Sequence, residues 1–433
     1  MIKFNKISFQ KDIPDTWSRI PLYELRNKKD RYGFTGGPFG SDLKSEHYTE
    51  SGIKILQLQN IGEGKFIDKG IVYTSEQKAD ELISCNIYPG EIILAKMAPV
   101  ARCCKVPSTD ERYLMCSDGI RLSVDTHKFD NEFVFQSLNS KYFRDEAESK
   151  STGTTRARIG LNELKQICLY VPNSVQEQQK IAEILSTVDE KIEVIDQQII
   201  QTQELKKGLM QRLLTKGIGH TEFKDSTLGM IPESWEVVEL DEISSTTRLA
   251  GYEYSEYWEE SIDGEITALR GYNIGKNKLL LHNVIKISEE LSQKLIRSRL
   301  FKGNVVFPCV GTIGNAIVIE ENDKYHINQN IAKITPNDNL DSYFLMQYLI
   351  SPMCKNEIKR FNATTSQPNV LVGSLRKFRI PFPSSISEQI KISRILGSVD
   401  DKLEILSEKK THYQELKQGL MQQLLTGKIR VKV

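Results

Sequence analysis

No apolar stretch of this chain approaches the ~20 residues that a membrane-spanning helix needs; runs such as Ile92-Ile93-Leu94-Ala95 are a fraction of that length. The N-terminus has no apolar core of a secretory signal, so the expected compartment is the cytoplasm. Cysteine is sparse: seven residues, odd in number, scattered, and without a Cys-x-x-Cys pair. That excludes a disulfide framework or a zinc ribbon and predicts reduced thiols. The six histidines are equally dispersed, and no metal motif is present. Charge of one sign is lacking too, with 58 basic against 57 acidic residues, so the chain as a whole carries no electrostatic footprint of a nucleic-acid binder.

Catalytic signatures are also missing. There is no Gly-x-x-x-x-Gly-Lys-Ser/Thr phosphate loop and no Gly-x-Gly-x-x-Gly fingerprint. The Asn/Asp-Pro-Pro-Tyr/Phe motif of adenine methyltransferases does not occur. Gly36-Gly37-Pro38-Phe39-Gly40 reads as a turn rather than a cofactor cradle. Asp189-Glu190-Lys191 and Asp400-Asp401-Lys402 superficially resemble a nuclease metal site, but they fall inside heptads, where solvated charges are normal. What remains is binding rather than catalysis.

The dominant positive feature is duplication. Pro172 to Ile218 returns as Pro383 to Ile429 at a constant offset of 211, without a gap and with roughly half the positions identical. An echo precedes each copy, Ile13-Pro14-Asp15-Thr16-Trp17 and Ile231-Pro232-Glu233-Ser234-Trp235. A period this long implies two domain-sized copies rather than a solenoid. With 433 residues, 39% of them hydrophobic, each copy can bury its own core.

From about Ser174 to Thr215 there is no proline, and Gly208 is the only glycine. Ile181, Leu185, Val188, Ile192, Ile195 and Ile199 step by four and three residues, a heptad seam, and Ile392, Leu396, Val399, Leu403 and Leu406 repeat the frame. Ser174 with Glu177, and Ser385 with Glu388, predict a capping box at each helix start. After Ile199 the register slips, and Leu205, Leu209 and Leu213 form a second seam mirrored by Leu416, Leu420 and Leu424. Each helix of about 40 residues would extend on the order of 60 Å. Heptads alone leave open whether the two pair with each other, and in which direction.

Before each helix lie about 150 residues of mixed α/β pattern. Strands are expected at Ile53 to Leu58, Glu91 to Lys96, Leu114 to Val124, Val305 to Cys309 and Ala316 to Ile319. One amphipathic helix is expected in each domain, Glu132 to Glu148 and Ser342 to Phe361. Lys355, Lys359, Arg360, Arg376, Lys377 and Arg379 face a single acid, Glu357, and a weaker basic cluster joins Lys150, Arg156, Arg158 and Lys165. Such stretches can neutralise phosphates. Where one domain has Lys96-Met97-Ala98-Pro99-Val100-Ala101-Arg102, the other has Pro308 to Asn315. Helices kept alike beside domains that diverge suggest two different ligands.

The order domain, helix, domain, helix resembles the specificity subunit of Type I restriction-modification enzymes. The resemblance is carried by Gly36 to Ser41, Val310-Gly311-Thr312-Ile313-Gly314-Asn315, Ile386-Ser387-Glu388-Gln389, Leu209 to Thr215 and Leu228 to Trp235. It implies an α+β (mixed α/β) chain: two globular target-recognition domains, residues 1–172 and 219–382, separated by two long helices, 173–218 and 383–433, that form an intramolecular antiparallel coiled coil and act as a ruler. It also implies double-stranded DNA as ligand, one half of an asymmetric bipartite site per domain, and no catalysis by this chain. Two methyltransferase subunits and translocase-nuclease subunits would be its partners, carrying S-adenosylmethionine, ATP and magnesium, with no membrane involved. The other readings are a coiled-coil protein scaffold that never touches DNA and a self-contained DNA-modifying enzyme.

On that resemblance, loop residues that enter the grooves are expected to be Arg102, Lys105, Thr154, Thr155, Arg156 and Arg158 in the first domain. Those of the second are Thr312, Asn315, Thr365, Gln367, Asn369, Arg376 and Lys377. Arginine can read guanine, and asparagine or glutamine adenine, through paired hydrogen bonds, while other cations hold phosphates. Gly153-Thr154-Thr155-Arg156 has arginine where family members often carry glutamine.

Overall fold

A computed structural model describes residues 13–153, 155–362 and 369–432. Thr154, Thr365 and Gln367 therefore lie outside the described residues. The chain forms two compact units, one from its start to Ile195 together with Lys409–Val433, the other Asp196–Glu408.

In the first unit, Ile92-Ile93-Leu94-Ala95 is buried on both faces because alternate side chains serve two cores. Ile92 and Leu94 join Phe133, Leu138, Leu164 and Leu169 on the helical side. Ile93 and Ala95 join Leu56, Ile87 and Tyr113 on the other. The strand lies in a four-stranded antiparallel sheet ordered Phe34–Gly36, Gly119–Leu122, Ile92–Ala95, Cys103–Lys105. A five-stranded sheet covers the second core, with Ile53–Leu56 at its centre and parallel to Tyr113–Met115. The stretch Leu114 to Val124 is thus two strands rather than the one expected: the turn closed by Gly119 N–H to Cys116 O at 3.0 Å moves the chain from one sheet to the other.

The second unit repeats this arrangement in different residues. Its four-stranded sheet runs Ser244–Thr247, Ile331–Pro336, Val305–Pro308, Ile317–Val318, and Ile266–Leu269 lies parallel to Tyr325–Ile327 beside Ile285–Ile287. A buried asparagine recurs in each. Asn60 donates to Ile67 O and Lys69 O and accepts from Gln57 N–H; Asn273 does the same with Leu280 O, His282 O and Arg270 N–H. The duplication therefore extends through the domains, whose sequences had suggested more divergence than their topology has.

Both expected domain helices are broken in two. Asn131–Leu138 is followed by Lys141–Ser149, because Ser140 turns its hydroxyl onto Ser137 O at 2.6 Å and caps the second piece. Ser342–Leu349 is followed by Cys354–Phe361, because Pro352 cannot donate to a continuing helix and disfavours helical geometry in the residue before it.

Two long helices, Val175–Lys216 and Ile386–Leu424, supply part of each unit. In the first unit Lys417 Nζ lies 2.6 Å from Asp189 Oδ1. In the second unit Lys206 pairs with Asp400. In the first unit Glu177 also pairs with Arg430, and in the second Met210 and Leu213 pack with Leu396 and Ile392; as one number rises its partner's falls, so the two helical segments within each unit run antiparallel. Gln136 donates to Asp189 at 2.8 Å and Gln347 to Asp400 at 2.9 Å, so these aspartates join helix to helix and helix to domain rather than sitting on a solvated face.

Ile181, Leu185, Val188 and Ile195 are buried, as are Ile392, Leu396, Val399 and Leu406, whereas Ile192, Ile199 and Leu403 are half-buried. The seam is shared with the domains: Ile181 and Leu185 pack with Trp17, Phe133 and Leu424, and Ile392 and Leu396 with Met210, Leu213 and Trp235. The second seam differs from expectation. Leu205 and Leu416 are exposed, while Leu213 and Leu424 are buried as expected, and Met210 and Leu214 join Leu213 inward in the first long helix.

Half of each expected capping box exists. Ser174 Oγ accepts from Glu177 N–H at 3.3 Å and Ser385 Oγ from Glu388 N–H at 3.4 Å. The glutamate carboxylates are engaged elsewhere. Glu177 accepts from Trp17 Nε1 at 3.3 Å and from Arg430 at 2.6 and 2.8 Å. Glu388 accepts from Trp235 Nε1 at 3.2 Å and lies 2.7 Å from His220 Nε2. The Ile-Pro-x-x-Trp echoes and the repeated Glu-Gln pairs of the sequence thus meet: each glutamate fastens a tryptophan under its helix. The glutamine after it ties strand end to domain helix, Gln178 through Pro172 O and Asp130 N–H, Gln389 through Pro383 O and Asp341 N–H.

Candidate nucleic-acid interface

In the first unit three loops meet at one edge of the four-stranded sheet. The segment after Ala95 pairs with the segment before Leu161: Ala98 N–H donates to Ala157 O at 3.0 Å and Ile159 N–H to Lys96 O at 2.9 Å. The turn at Ser117-Asp118 closes against both, with Lys96 N–H on Asp118 O at 2.8 Å, Lys96 Nζ on Ser117 O at 2.7 Å, and Arg158 3.0 Å from Asp118. The Gly36-Gly37 segment is held to the same turn by Gly37 N–H on Gly119 O at 2.9 Å. A Cβ on Gly37 would stand 1.8 Å from Cys116 O, so only glycine fits there. Burial, helped by the neighbouring Arg158, holds the Lys96 ammonium below the usual lysine range.

The second unit converges in the same way with other residues. Val310 bridges Asn369, and Val370 N–H donates to Cys309 O at 2.9 Å. Thr312 Oγ1 donates to Gly271 O at 2.7 Å and Asn315 Nδ2 to Ile274 O at 2.9 Å, fastening the 271–277 loop to the 310–315 loop.

The sequence-derived residues divide into two groups. Arg102 donates to three backbone carbonyls, Ile61 O at 2.6 Å, Leu58 O at 2.7 Å and Ala98 O at 3.0 Å, so it is a loop clamp rather than a groove reader. Burial and the nearby Arg144 lower its pKa. Lys105 pairs with Glu132 and lies over the Phe135 ring. Thr312 and Asn315 have their side chains committed to the loop carbonyls just named, and Arg376 to Thr246 O at 2.6 Å and Asp241 at 3.6 Å. Thr155, Arg156, Asn369 and Lys377 are exposed, and their side chains have no partner among the described residues. Of these, Thr155 and Arg156 lie in the loop that Thr152 and Arg158 close, and Asn369 lies beside Val310; Lys377 is further along, after the helical turn that precedes Phe378.

The basic stretch around Glu357 is less bare than its composition implies. That carboxylate is buried and accepts from Arg360 at 2.9 Å and from Arg379 at 2.7 Å, so two of the six cations share one internal anion and the trio keeps one positive charge. Two residues of these loops were absent from the sequence-derived set: Lys96, which the motif comparison placed in a divergent loop without singling it out, and Phe39, in the Gly36 to Ser41 segment that was read as a turn and as a motif of the family resemblance but not as a contact.

Comparison with known proteins agrees with this architecture. Residues 45–204 and 232–417 match the family model described as Type I restriction modification DNA specificity domain. The chain is 30% identical over 326 residues to the Type I restriction enzyme MjaVIII specificity subunit of Methanocaldococcus jannaschii, covering 74% of this chain and 75% of that one. It is 27% identical to the putative MjaX specificity subunit of the same organism over 97% of this chain and 95% of that protein. Its fold is that of the S subunit of a Type I restriction-modification system from M. genitalium, with a TM-score of 0.58, 16% identity and 98% of both chains covered. The chain belongs to the Type I restriction-modification specificity family. It is a DNA specificity subunit, non-catalytic, and works with DNA and the other subunits of such a complex; the scaffold without DNA recognition is set aside.

Proposed function

We propose that each unit reads one half of an asymmetric, bipartite DNA site. The observation that carries this reading is one strand order built twice with different loops at the same sheet edge: Lys96 to Arg102 beside Arg158 in one unit, Pro308 to Asn315 beside Asn369 in the other. Arg156 and Thr155 are the residues offered to bases or phosphates in the first unit, and Asn369, with Thr365 and Gln367 of the adjoining segment, in the second. Lys377 and Arg158 hold phosphates and set position.

Two methyltransferase subunits dock on the long helices. Val194 and Ile405, and Leu205 and Leu416, are related by the 211-residue offset and are exposed apolar side chains on these helices, one of each kind in each unit. An open groove of about 1180 Å³ in the second unit lies beside them, lined mostly by charged and polar residues such as Lys206, Lys207, Arg394, Asp401 and Glu404. S-adenosylmethionine belongs to those subunits, and ATP with magnesium to translocase-nuclease subunits. The assembly works in the cytoplasm; among the described residues no helix is long and apolar enough to cross a membrane. Sequencing methylated adenines in the native genome with and without this gene tests the reading. A two-part, non-palindromic motif that disappears with the gene is expected; an unchanged methylation pattern would refute it.

A further inference from the structure

Phe39 is 82% exposed, the most exposed aromatic side chain among the described residues. A single exposed apolar side chain is ordinary on a protein surface; what sets this one apart is the loop that holds it. The loop that carries it is anchored rather than loose. Gly37 is wedged against Cys116 O, Pro38 fixes one backbone angle, and Asp42 N–H donates to Phe39 O at 2.9 Å, closing a turn at the ring. Among the described residues, nothing comes within 4 Å of where a Cβ on Gly40 would stand.

The root of this loop is fastened to the turn that also holds the cations of the interface. A Cβ on Gly36 would lie 2.8 Å from Lys96 Nζ, and Asp118 of that turn pairs with Arg158. An apolar ring on a loop rooted at the turn that carries the exposed Arg158 fits a polyanion with stackable faces. Proteins that bend DNA insert apolar side chains between base pairs in this way. The corresponding edge strand of the second unit, Ser244–Thr247, leads instead into a helix, Gly251–Tyr257, without a glycine-flanked tip.

We propose that Phe39 enters the base stack of the half-site read by the first unit and unstacks one step, contributing to specificity through deformability of that step. The inference rests on the DNA-reading role proposed above. The test uses the chain assembled with its methyltransferase subunits and duplexes bearing the genomically methylated site, with 2-aminopurine placed in turn at each position. Binding should raise the fluorescence several-fold at one step of one half-site, away from the methylated adenine, which a methyltransferase extrudes by itself. Phe39→Ala should abolish that rise and weaken binding by roughly tenfold or more without changing the melting temperature. Phe39→Leu should fall between, and Tyr252→Ala should leave the signal intact. If the wild-type complex binds with no such step, or the rise survives Phe39→Ala, the wedge is refuted while DNA reading stands. If Phe39→Ala prevents assembly with the methyltransferase subunits, the ring covers a protein and the wedge is equally refuted. Failure of the wild-type complex to bind the duplex would overturn both readings.

Discussion

Arg102 and Arg156 share a charge but not an environment, and nothing in the sequence separates them. Arg102 donates to three loop carbonyls, of which Leu58 O also accepts from Ile61 N–H, whereas Arg156 is exposed. Arg102→Ala should therefore destabilise the first unit by about 2 kcal/mol and show as an earlier thermal transition. Arg156→Ala should melt like the parent and weaken binding by about 1–3 kcal/mol if it reads a base. A shallower salt dependence with unchanged sequence preference would instead make it a phosphate contact. Equal melting of both variants would contradict the clamp. Residue type and loop position were legible in advance; which carbonyl lies within reach depends on tertiary folding, so the sequence could not sort clamp from reader.

Glu357 carries the residue-scale argument into pH. Burial by itself raises its carboxyl pKa, but hydrogen bonds from the Arg379 side chain and backbone, with Arg360, outweigh it and hold the pKa below the usual 4.5. A depressed folded value means that the pair stabilises the second unit fully above the unfolded value, and that this contribution is lost as pH falls through the folded one. Glu357→Gln should cost about 1–2 kcal/mol at neutral pH by weakening the hydrogen bonds that the partly exposed Arg360 and Arg379 make to this buried side chain. Its melting temperature should then fall less steeply than the parent's on acidification below about 4.5. Parallel curves for the two proteins would show that the pair is not the titrating element.

Among elements, the long helices were the most readable, because a sustained 3.6-residue periodicity without proline admits few alternatives. Their bounds, Val175–Lys216 and Ile386–Leu424, fall close to the expected ones. The direction of pairing was not legible in the heptads, since apolar spacing is the same read either way; the ion pairs fix it. Lys206→Asp sets two carboxylates face to face and should destabilise the second unit by about 1–2 kcal/mol, and Asp400→Lys in the same chain should recover most of it. Gln347 can present its carbonyl to the new lysine, so the swap loses little at that contact. Additive losses in the double variant would argue against the antiparallel register. The domain helices and the split strand were misjudged in length for one reason: Ser140, Pro352 and the Ser117-Asp118 turn interrupt patterns that remain apolar on both sides.

For the whole molecule, the repeat explains why one polypeptide can hold two readers of unlike specificity. Each unit is completed by segments of both long helices, and the residues that complete it are those the duplication keeps: Leu185 and Leu424 in one core, Leu396 and Leu213 in the other. The divergent loops hang from sheets of the same order, and each sets apolar residues of its own into its core, Val100 and Ala101 in one and Cys309 in the other, so an exchanged loop has to carry these with it. The second reader also has closed ends. Trp235–Glu239 pairs along its length with Arg379–Pro383, and Leu240 N–H donates to Phe378 O at 2.9 Å. A segment cut between those two hydrogen-bonded residues can be exchanged while both paired strands and the Glu388–Trp235 fastening remain. Replacing 240–378 by the matching stretch of a relative should therefore change one half of the methylated motif and leave the other half as it was, read directly from the methylated adenines of cells carrying the chimera. A chimera that folds and methylates yet alters both halves, or neither, would dissolve the assignment of one half-site to each unit.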